Sequence, residues 1–296
     1  MPRAISIVLP NYNSGVVIER AIKSLLSQDY PDLQLIAMDA ESHDESWDII
    51  ERYREHFDIV VRAKDKGQAD GLNKGLSVAQ GDIFGWLCAD DELMPGALFH
   101  VDELFENTPD ADVVMGGCER VYEDGSREVT RARPDAWEWI RFHNVIEQPS
   151  TFWRKSLHQK IGPLDLSYRL GFDWDLWAKM AKAGAKIVTT DRVLSRYYFS
   201  GDNKCSKAGN LFAEEAFRIL KEHAPLRGGI AYVYRFIYYH FDLKGCFDKP
   251  RTCSTVRYLL FRLICSFLGR TIGGKYMGMY NWHFASCQER GLKWHP

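Results

Sequence analysis

The chain has 296 residues, of which 46% are hydrophobic and 26% charged, with a formal net charge of -2. This composition excludes a disordered tail, a collagen-like repeat and a small disulfide scaffold, and the near-neutral balance argues against a general nucleic-acid binder. The average hides an asymmetry: from Leu226 onward, 11 Lys/Arg stand against 3 Asp/Glu, and 15 of the 39 aromatic residues fall there. Residues 4–9 are a short β-branched apolar run ending at Pro10, which reads as a buried strand. Apolar residues at helical spacing follow over 16–26. The alternation continues with strand 33–38, helix 46–53, strand 59–61, helix 68–79, strand 83–87, helix 95–105 and strand 113–115. Alternating strands and helices predict an α/β fold with a mainly parallel sheet covered on both faces, binding ligands beyond the carboxyl ends of its strands. Further on, 119–130 reads as a hairpin around Asp124-Gly125, and 147–198 mixes short strands with a helix over 174–183. A polar loop spans 201–207, and amphipathic helices run from Leu211.

Seven cysteines are scattered (Cys88, Cys118, Cys205, Cys246, Cys253, Cys265, Cys287) with no Cys-x-x-Cys pair. That pattern argues against a zinc knuckle and reads as reduced thiols in a cytoplasmic protein. The N-terminal Met-Pro-Arg does not read as a signal peptide, and no apolar run is long enough for a spanning helix.

Polar clusters follow four successive strands: 10–13, 39–42, 65–68 and 88–91. Each alone is an ordinary turn composition, but four at successive carboxyl ends point to one cleft. Asp90-Asp91 is the sharpest. Adjacent carboxylates repel unless a cation or donors compensate them, and hard divalent ions take oxygen ligands. The bland reading is an N-cap for the helix near Pro95, which explains one Asp but not two.

In order along the chain stand Ser6-Ile7-Val8-Leu9-Pro10-Asn11-Tyr12-Asn13, Met38-Asp39-Ala40-Glu41-Ser42-His43-Asp44, the segment 65–75 beginning Asp65-Lys66-Gly67-Gln68, the segment 81–91 ending Cys88-Ala89-Asp90-Asp91, and Phe172-Asp173-Trp174-Asp175-Leu176-Trp177. Together they resemble the GT-A glycosyltransferases and, within them, the inverting glycosyltransferase family 2, over residues 4–205. The resemblance implies that Pro10, Tyr12 and Asp39 hold the nucleobase, that Asp65 and Lys66 lie along the nucleotide, and that Asp90 sits near the ribose or metal waters. It implies that Asp91 ligates a Mn²⁺ or Mg²⁺ bridging the diphosphate, and that Asp173 is the base deprotonating the acceptor hydroxyl. By residues alone, Asp173 reads equally well as an N-cap; the family context favours the base. The implied donor is a nucleotide sugar, UDP-linked, and the implied acceptor a glycan or lipid-linked molecule in surface polysaccharide synthesis.

Three departures from the family pattern stand out. Cys88 occupies the place of the first Asp of Asp-x-Asp, Ala40-Glu41 alters the turn after Asp39, and Phe199 stands where a His would contact metal or diphosphate. The last leaves the ion to Asp91, phosphate oxygens and water, with Lys204 or Lys207 closing over the diphosphate. Trp174 is expected to approach the cleft and Trp177 to lie in the core, Asp175 to be a surface or first-turn carboxylate, and 148–151 to shape the acceptor side. The expected division is a catalytic domain over 1–210, with a nucleotide half 1–118 and an acceptor half 119–210, and a helical extension over 211–296. The basic, aromatic residues 226–296 fit either a peripheral membrane contact, at the inner face of the plasma membrane, or core packing or a homo-oligomer interface; no other feature supports nucleic acid. Two rivals are a sugar-nucleotide nucleotidyltransferase, which would show a Gly-rich loop with Arg after the first strand, and a degenerate GT-A binding module, against which the intact Asp39, Asp91 and Asp173 argue.

Overall fold

The computed structural model describes residues 3–199 and 210–224 and the isolated positions 229, 231, 232, 235, 256, 263, 267 and 270. The 201–207 loop with Lys204 and Lys207, and nearly all of the basic extension, lie outside the described residues. The chain divides into two compact units: Met1–Pro134 with Ile146–Phe172 and Lys179–Tyr198, and Asp135–Val145 with Asp173–Ala178 and Phe199–Pro296.

The first unit is built on one nine-stranded sheet. In chain order its strands are β1 (Ile5–Asn11), β2 (Leu33–Asp39), β3 (Ile59–Arg62), β4 (Ile83–Trp86), β5 (Glu92–Leu93), β6 (Val113–Val121), β7 (Arg127–Thr130), β8 (Thr151–Arg154) and β9 (Ile187–Tyr198). Their spatial order is β3-β2-β1-β4-β8-β6-β9-β5, with β7 against β6. The run β3-β2-β1-β4 is all parallel, and β6 pairs β9 in parallel. Antiparallel pairs enter only where β8, β7 and β5 join.

The parallel run is joined by α1 (Gly15–Leu26), α2 (Ser46–Arg52) and α3 (Gln68–Val78), and α4 (Ala97–Asn107) leads from β5 to β6. Parallel strands joined by such crossovers have all four carboxyl ends on one edge. The apolar faces of α1 and α4 meet the sheet at Ile18, Ile22, Leu25, Leu98, Val101 and Phe105, over Ile5, Ile7 and Leu9.

Two strands run at least two residues past their predicted ends. β1 passes through Pro10 to Asn11, paired with Met38 and Asp39. Val8 O accepts Leu87 N–H on the β4 side, and alternation turns Pro10 to that same side, past the last β1–β4 pair, Val8 with Trp86. The missing proline N–H therefore removes no ladder bond. β6 fuses the predicted strand at 113 with the first arm of the predicted hairpin, through register shifts at Met115/Gly117 and Gly117/Cys118. Gly116 is needed there, since a Cβ would lie 2.3 Å from Leu194 Cγ.

Helix α3 packs so closely on β1 that a Cβ at Gly75 would meet Val8 Cγ1 at 2.5 Å and Met38 Cγ at 3.1 Å. Gly75→Ala is therefore expected to destabilise the chain by about 1–3 kcal/mol through overpacking, measured as a lowered urea midpoint at unchanged slope.

Candidate active site

The four polar clusters form an open ring at the carboxyl edge of β1–β4, tied in part by hydrogen bonds. Asn11, ending β1, lies in register with Asp39, ending β2. Asn11 Nδ2 donates to Asp39 Oδ1 (2.6 Å), Ser42 Oγ (3.1 Å) and Ser46 Oγ (2.9 Å). Asp39 also accepts from Ser42 Oγ (2.6 Å) and Ser42 N (3.0 Å). On the β3 side, Ala63 N–H bonds Asp39 O, and Arg62 Nε lies 3.6 Å from Asp39 Oδ2 with its guanidinium over the Trp47 ring. Gln68, opening α3, donates from Nε2 to Cys88 Sγ at 3.3 Å. Arg20 of α1 fastens the last cluster, donating from Nη2 to the carbonyl of Asp90 at 3.0 Å.

Within the ring, Pro10 is buried in β1 while the Tyr12 ring is 60% exposed. Asp65 Oδ1 accepts Gly67 N–H at 2.8 Å and Asp70 Oδ2 accepts Lys66 N–H at 3.0 Å. Gly67, at φ +123°, makes the turn into α3 that an L side chain rarely adopts. Lys66 itself is exposed. Glu41, in the altered turn, takes a left-handed φ of 56°.

Asp90 and Asp91 cap no helix: β5 follows them, and α4 starts after Gly96 at φ 69°. Asp91 N–H bonds Cys88 O at 3.0 Å, turning the segment inward. Asp91 is 1% exposed, and its Oδ1 has no hydrogen-bond partner. Burial pushes its carboxyl well above the usual carboxylate range, Asp90 and Glu147 push it further, and Arg20 opposes them. Donor atoms of Cys88, Asp90 and Asp91 all lie within 4.8 Å of one another. A buried carboxylate oxygen without a donor, beside a second carboxylate and a thiol, fits a divalent cation.

Behind the pair stands an ion network that sequence reasoning missed. Arg20 Nε lies 2.7 Å from Glu92 Oε1, and the guanidinium sits 3.5 Å from the Tyr198 ring centroid. Tyr198 Oη donates to Glu92 Oε1 at 2.7 Å, and Arg196 links Glu92 to Glu119. Residues 148–151 also turn inward: Gln148 Nε2 donates to Trp86 O at 2.8 Å, and Ser150 Oγ donates to Gly117 O at 2.6 Å.

Asp173 belongs to the second unit, in the first turn of α7 (Phe172–Lys182) after N-cap Gly171. Its Oδ1 accepts Trp174 N–H at 2.7 Å and its Oδ2 accepts Asn144 Nδ2 at 3.2 Å. Burial, partly offset by those two bonds, pushes its carboxyl up to about 6. One neighbouring expectation is corrected: Trp174 is 1% exposed and donates from Nε1 to Ile140 O at 2.6 Å, so it is core rather than cleft lining. Of the two alternatives for Asp175, the structure has the first-turn carboxylate and not the surface one: it is 1% exposed and pairs at 3.0 Å with His223 Nε2, at the end of α8 (Asn210–His223).

The fold is a mainly parallel α/β sheet with its polar clusters gathered at one carboxyl edge. Residues 6–160, just over half the chain, match the model of glycosyl transferase family 2, and the chain belongs to that family; the enzyme class it defines is a glycosyltransferase. A glycosyltransferase of Nostoc is 25% identical over 230 residues, covering 71% of this chain and 69% of its own. One of Rickettsia prowazekii is 25% identical over 190 residues, covering 61% of this chain, which spans only 59% of that relative's length. A PGL/p-HBAD biosynthesis glycosyltransferase of Mycobacterium tuberculosis is 28% identical over 180 residues, covering 57% of this chain and 66% of its own.

Among solved structures, a mannosyltransferase from Pyrobaculum calidifontis, in complex with GDP-Man and Mn²⁺, superposes with a TM-score of 0.62 at 16% identity, over 97% of this chain and 86% of its own. Residues 1–349 of S. aureus TarS in complex with UDP superpose with 0.57 at 16%, over 96% and 89%. These likenesses show the GT-A fold that the strand–helix alternation and motif order imply. Among the described residues, no helix is long and apolar enough to cross a membrane.

Asn11→Ala would strip a charged acceptor and two buried hydroxyls of their shared donor. It is expected to lower stability by about 1.5–3 kcal/mol, read as a reduced denaturation midpoint.

Proposed function

We propose that the protein moves a sugar from a nucleotide donor, UDP-linked, to a hydroxyl of a glycan or lipid-linked acceptor, in one inverting displacement. The observation that carries this reading is the buried, unpartnered Asp91 oxygen, set beside Asp90 in a chain of this family. The UDP complex of TarS and the GDP-Man and Mn²⁺ complex of the mannosyltransferase support it by fold alone.

Asp39, bonded by Asn11 and Ser42, keeps a lone-pair direction on Oδ2 to accept the uracil N–H, since a carboxylate offers about four. Tyr12 presents an exposed ring for stacking on the nucleobase, and Pro10 fixes the strand end beneath it. Lys66 offsets diphosphate charge, and Asp65 shapes the loop that carries it. Asp91 would be the main protein ligand for Mn²⁺ or Mg²⁺, with Asp90 beside it. When bound, such an ion supplies Lewis-acid stabilisation of the leaving diphosphate. Asp173 removes the acceptor proton as the hydroxyl attacks the anomeric carbon from the face opposite the diphosphate. One base suffices for inversion, since no covalent sugar–enzyme step intervenes.

The working division is a catalytic segment over 1–210 and an extension over 211–296. The extension's basic, aromatic composition supports peripheral contact with an anionic membrane carrying the acceptor, at the cytoplasmic face; a homo-oligomer is the other reading. Surface polysaccharide synthesis is the matching role.

The test is a panel of UDP- and GDP-sugars with Mn²⁺, scored by release of free nucleotide. A UDP-sugar should turn over, and a GDP-sugar alone doing so would overturn the donor assignment. Because Asp173 acts as a base only when ionised, and its carboxyl titrates near 6, kcat should fall as pH drops through about 6 and level off above it. Asp173→Asn should lower kcat by about 10²–10⁴-fold with UDP affinity retained. Unchanged kcat in this variant would remove Asp173 from the mechanism.

A further inference from the structure

The cation reading above assigns Asp91 and leaves Cys88 as a departure from the family pattern. The geometry gives that thiol a specific place. Cys88 Sγ belongs to the same cluster as the Asp90 and Asp91 carboxylates, with donor atoms within 4.8 Å of one another. Ligands around one ion at about 2.0–2.3 Å stand roughly 3–4.5 Å apart, so only a small closure separates this cluster from a coordination shell. Asp91 supplies the independent observation: a side chain 1% exposed whose Oδ1 has no hydrogen-bond partner.

The sulfur is also held from the side. Gln68 Nε2 donates to it at 3.3 Å, and the thiol donates to Gln148 Oε1 at 3.5 Å. Gln148 is in turn pinned through Nε2 to Trp86 O at 2.8 Å. An N–H donated to sulfur favours the thiolate, and outer partners of this sort orient a ligand towards its ion.

We propose that Cys88 Sγ is a direct ligand, together with Asp91 and Asp90, of the divalent cation bound at the end of β4, so that this site selects thiophilic ions such as Co²⁺, Zn²⁺ and Cd²⁺ over Mg²⁺. The proposal rests on the cation reading of Asp91 and deepens it. On coordination the S–H bond breaks heterolytically: the electron pair goes to the metal–sulfur bond and the proton to solvent, with no change of oxidation state. The contact from Cys88 to Gln148 is lost with that proton, while the Gln68 N–H continues to donate to sulfur. Softness sets the preference, because thiolate selects borderline and soft ions where carboxylate and water suit Mg²⁺ and Mn²⁺.

The experiment is a Co²⁺ titration of the full chain followed by absorption, with Cd²⁺ and Mg²⁺ affinities measured in parallel by calorimetry. Wild type should show a thiolate-to-Co²⁺ charge-transfer band saturating at one equivalent, absent from Cys88→Ser and from Asp91→Asn. Cys88→Ser should weaken Cd²⁺ binding at least about tenfold while leaving Mg²⁺ affinity within a factor of about three. Cys88→Asp should raise Mg²⁺ and Mn²⁺ affinity and narrow the preference for Cd²⁺.

A band that persists in Cys88→Ser would belong to another of the chain's cysteines and overturn the proposal. So would Co²⁺ binding without a thiolate band in wild type. In both cases, Asp91-dependent Mn²⁺ binding would leave the cation reading standing. Absence of Asp91-dependent binding of any ion would overturn both together.

Discussion

The arrangement of the first unit turns on one carboxylate held out of water without a full set of donors. Burying an ionised carboxyl costs on the order of several kcal/mol even after relaxation, and Asp91 has Asp90 and Glu147 nearby to make it worse. Only Arg20 opposes them, and it reaches the pair through the carbonyl of Asp90 and the carboxylate of Glu92. Without a cation, the folded chain retains a proton on Asp91 that the unfolded chain releases. Stability therefore falls as pH rises from the ordinary carboxylate value towards the raised one. Such a residue persists because the folded state has another use for its charge.

The rest of the carboxyl edge holds that residue in place. Parallel pairing of β1 with β2 and β4 brings Asn11, Asp39 and the acidic segment to one edge, and the side chains then tie neighbouring ends together in a ring. Asn11 is central to one half of it, feeding Asp39, Ser42 and Ser46 from a single amide. Arg20 is central to the other, fastened by Glu92 and Tyr198 at its back. The network keeps the loops in register while the loops themselves contain no regular structure.

Much of this was legible in the sequence. The apolar runs, followed within a few residues by Asp or Asn, marked the strands and their polar carboxyl ends, and the doubled Asp marked the segment that carries the buried carboxylate of Asp91. Pairings that close over long separations were not legible. Arg20 and Asp90 lie 70 residues apart, and Asp175 and His223 lie 48 apart; nothing in either local pattern announces the partner. β5 has two residues, too few for periodicity to register. The burial of Trp174 does have a local signal: residues three apart share a helix face, and Trp174 is buried with Trp177.

The measurement that bears most directly on the central claim is the thermal unfolding midpoint as a function of Mn²⁺ in the presence of UDP, for wild type and Asp91→Asn. Wild type should climb with Mn²⁺, as mass action requires of an ion bound only by the folded chain. Asp91→Asn should start higher without metal, freed of the cost of burying a carboxyl that ionises in the unfolded chain, and stay flat. A variant that starts lower, or climbs in parallel with wild type, would contradict the role given to this carboxylate.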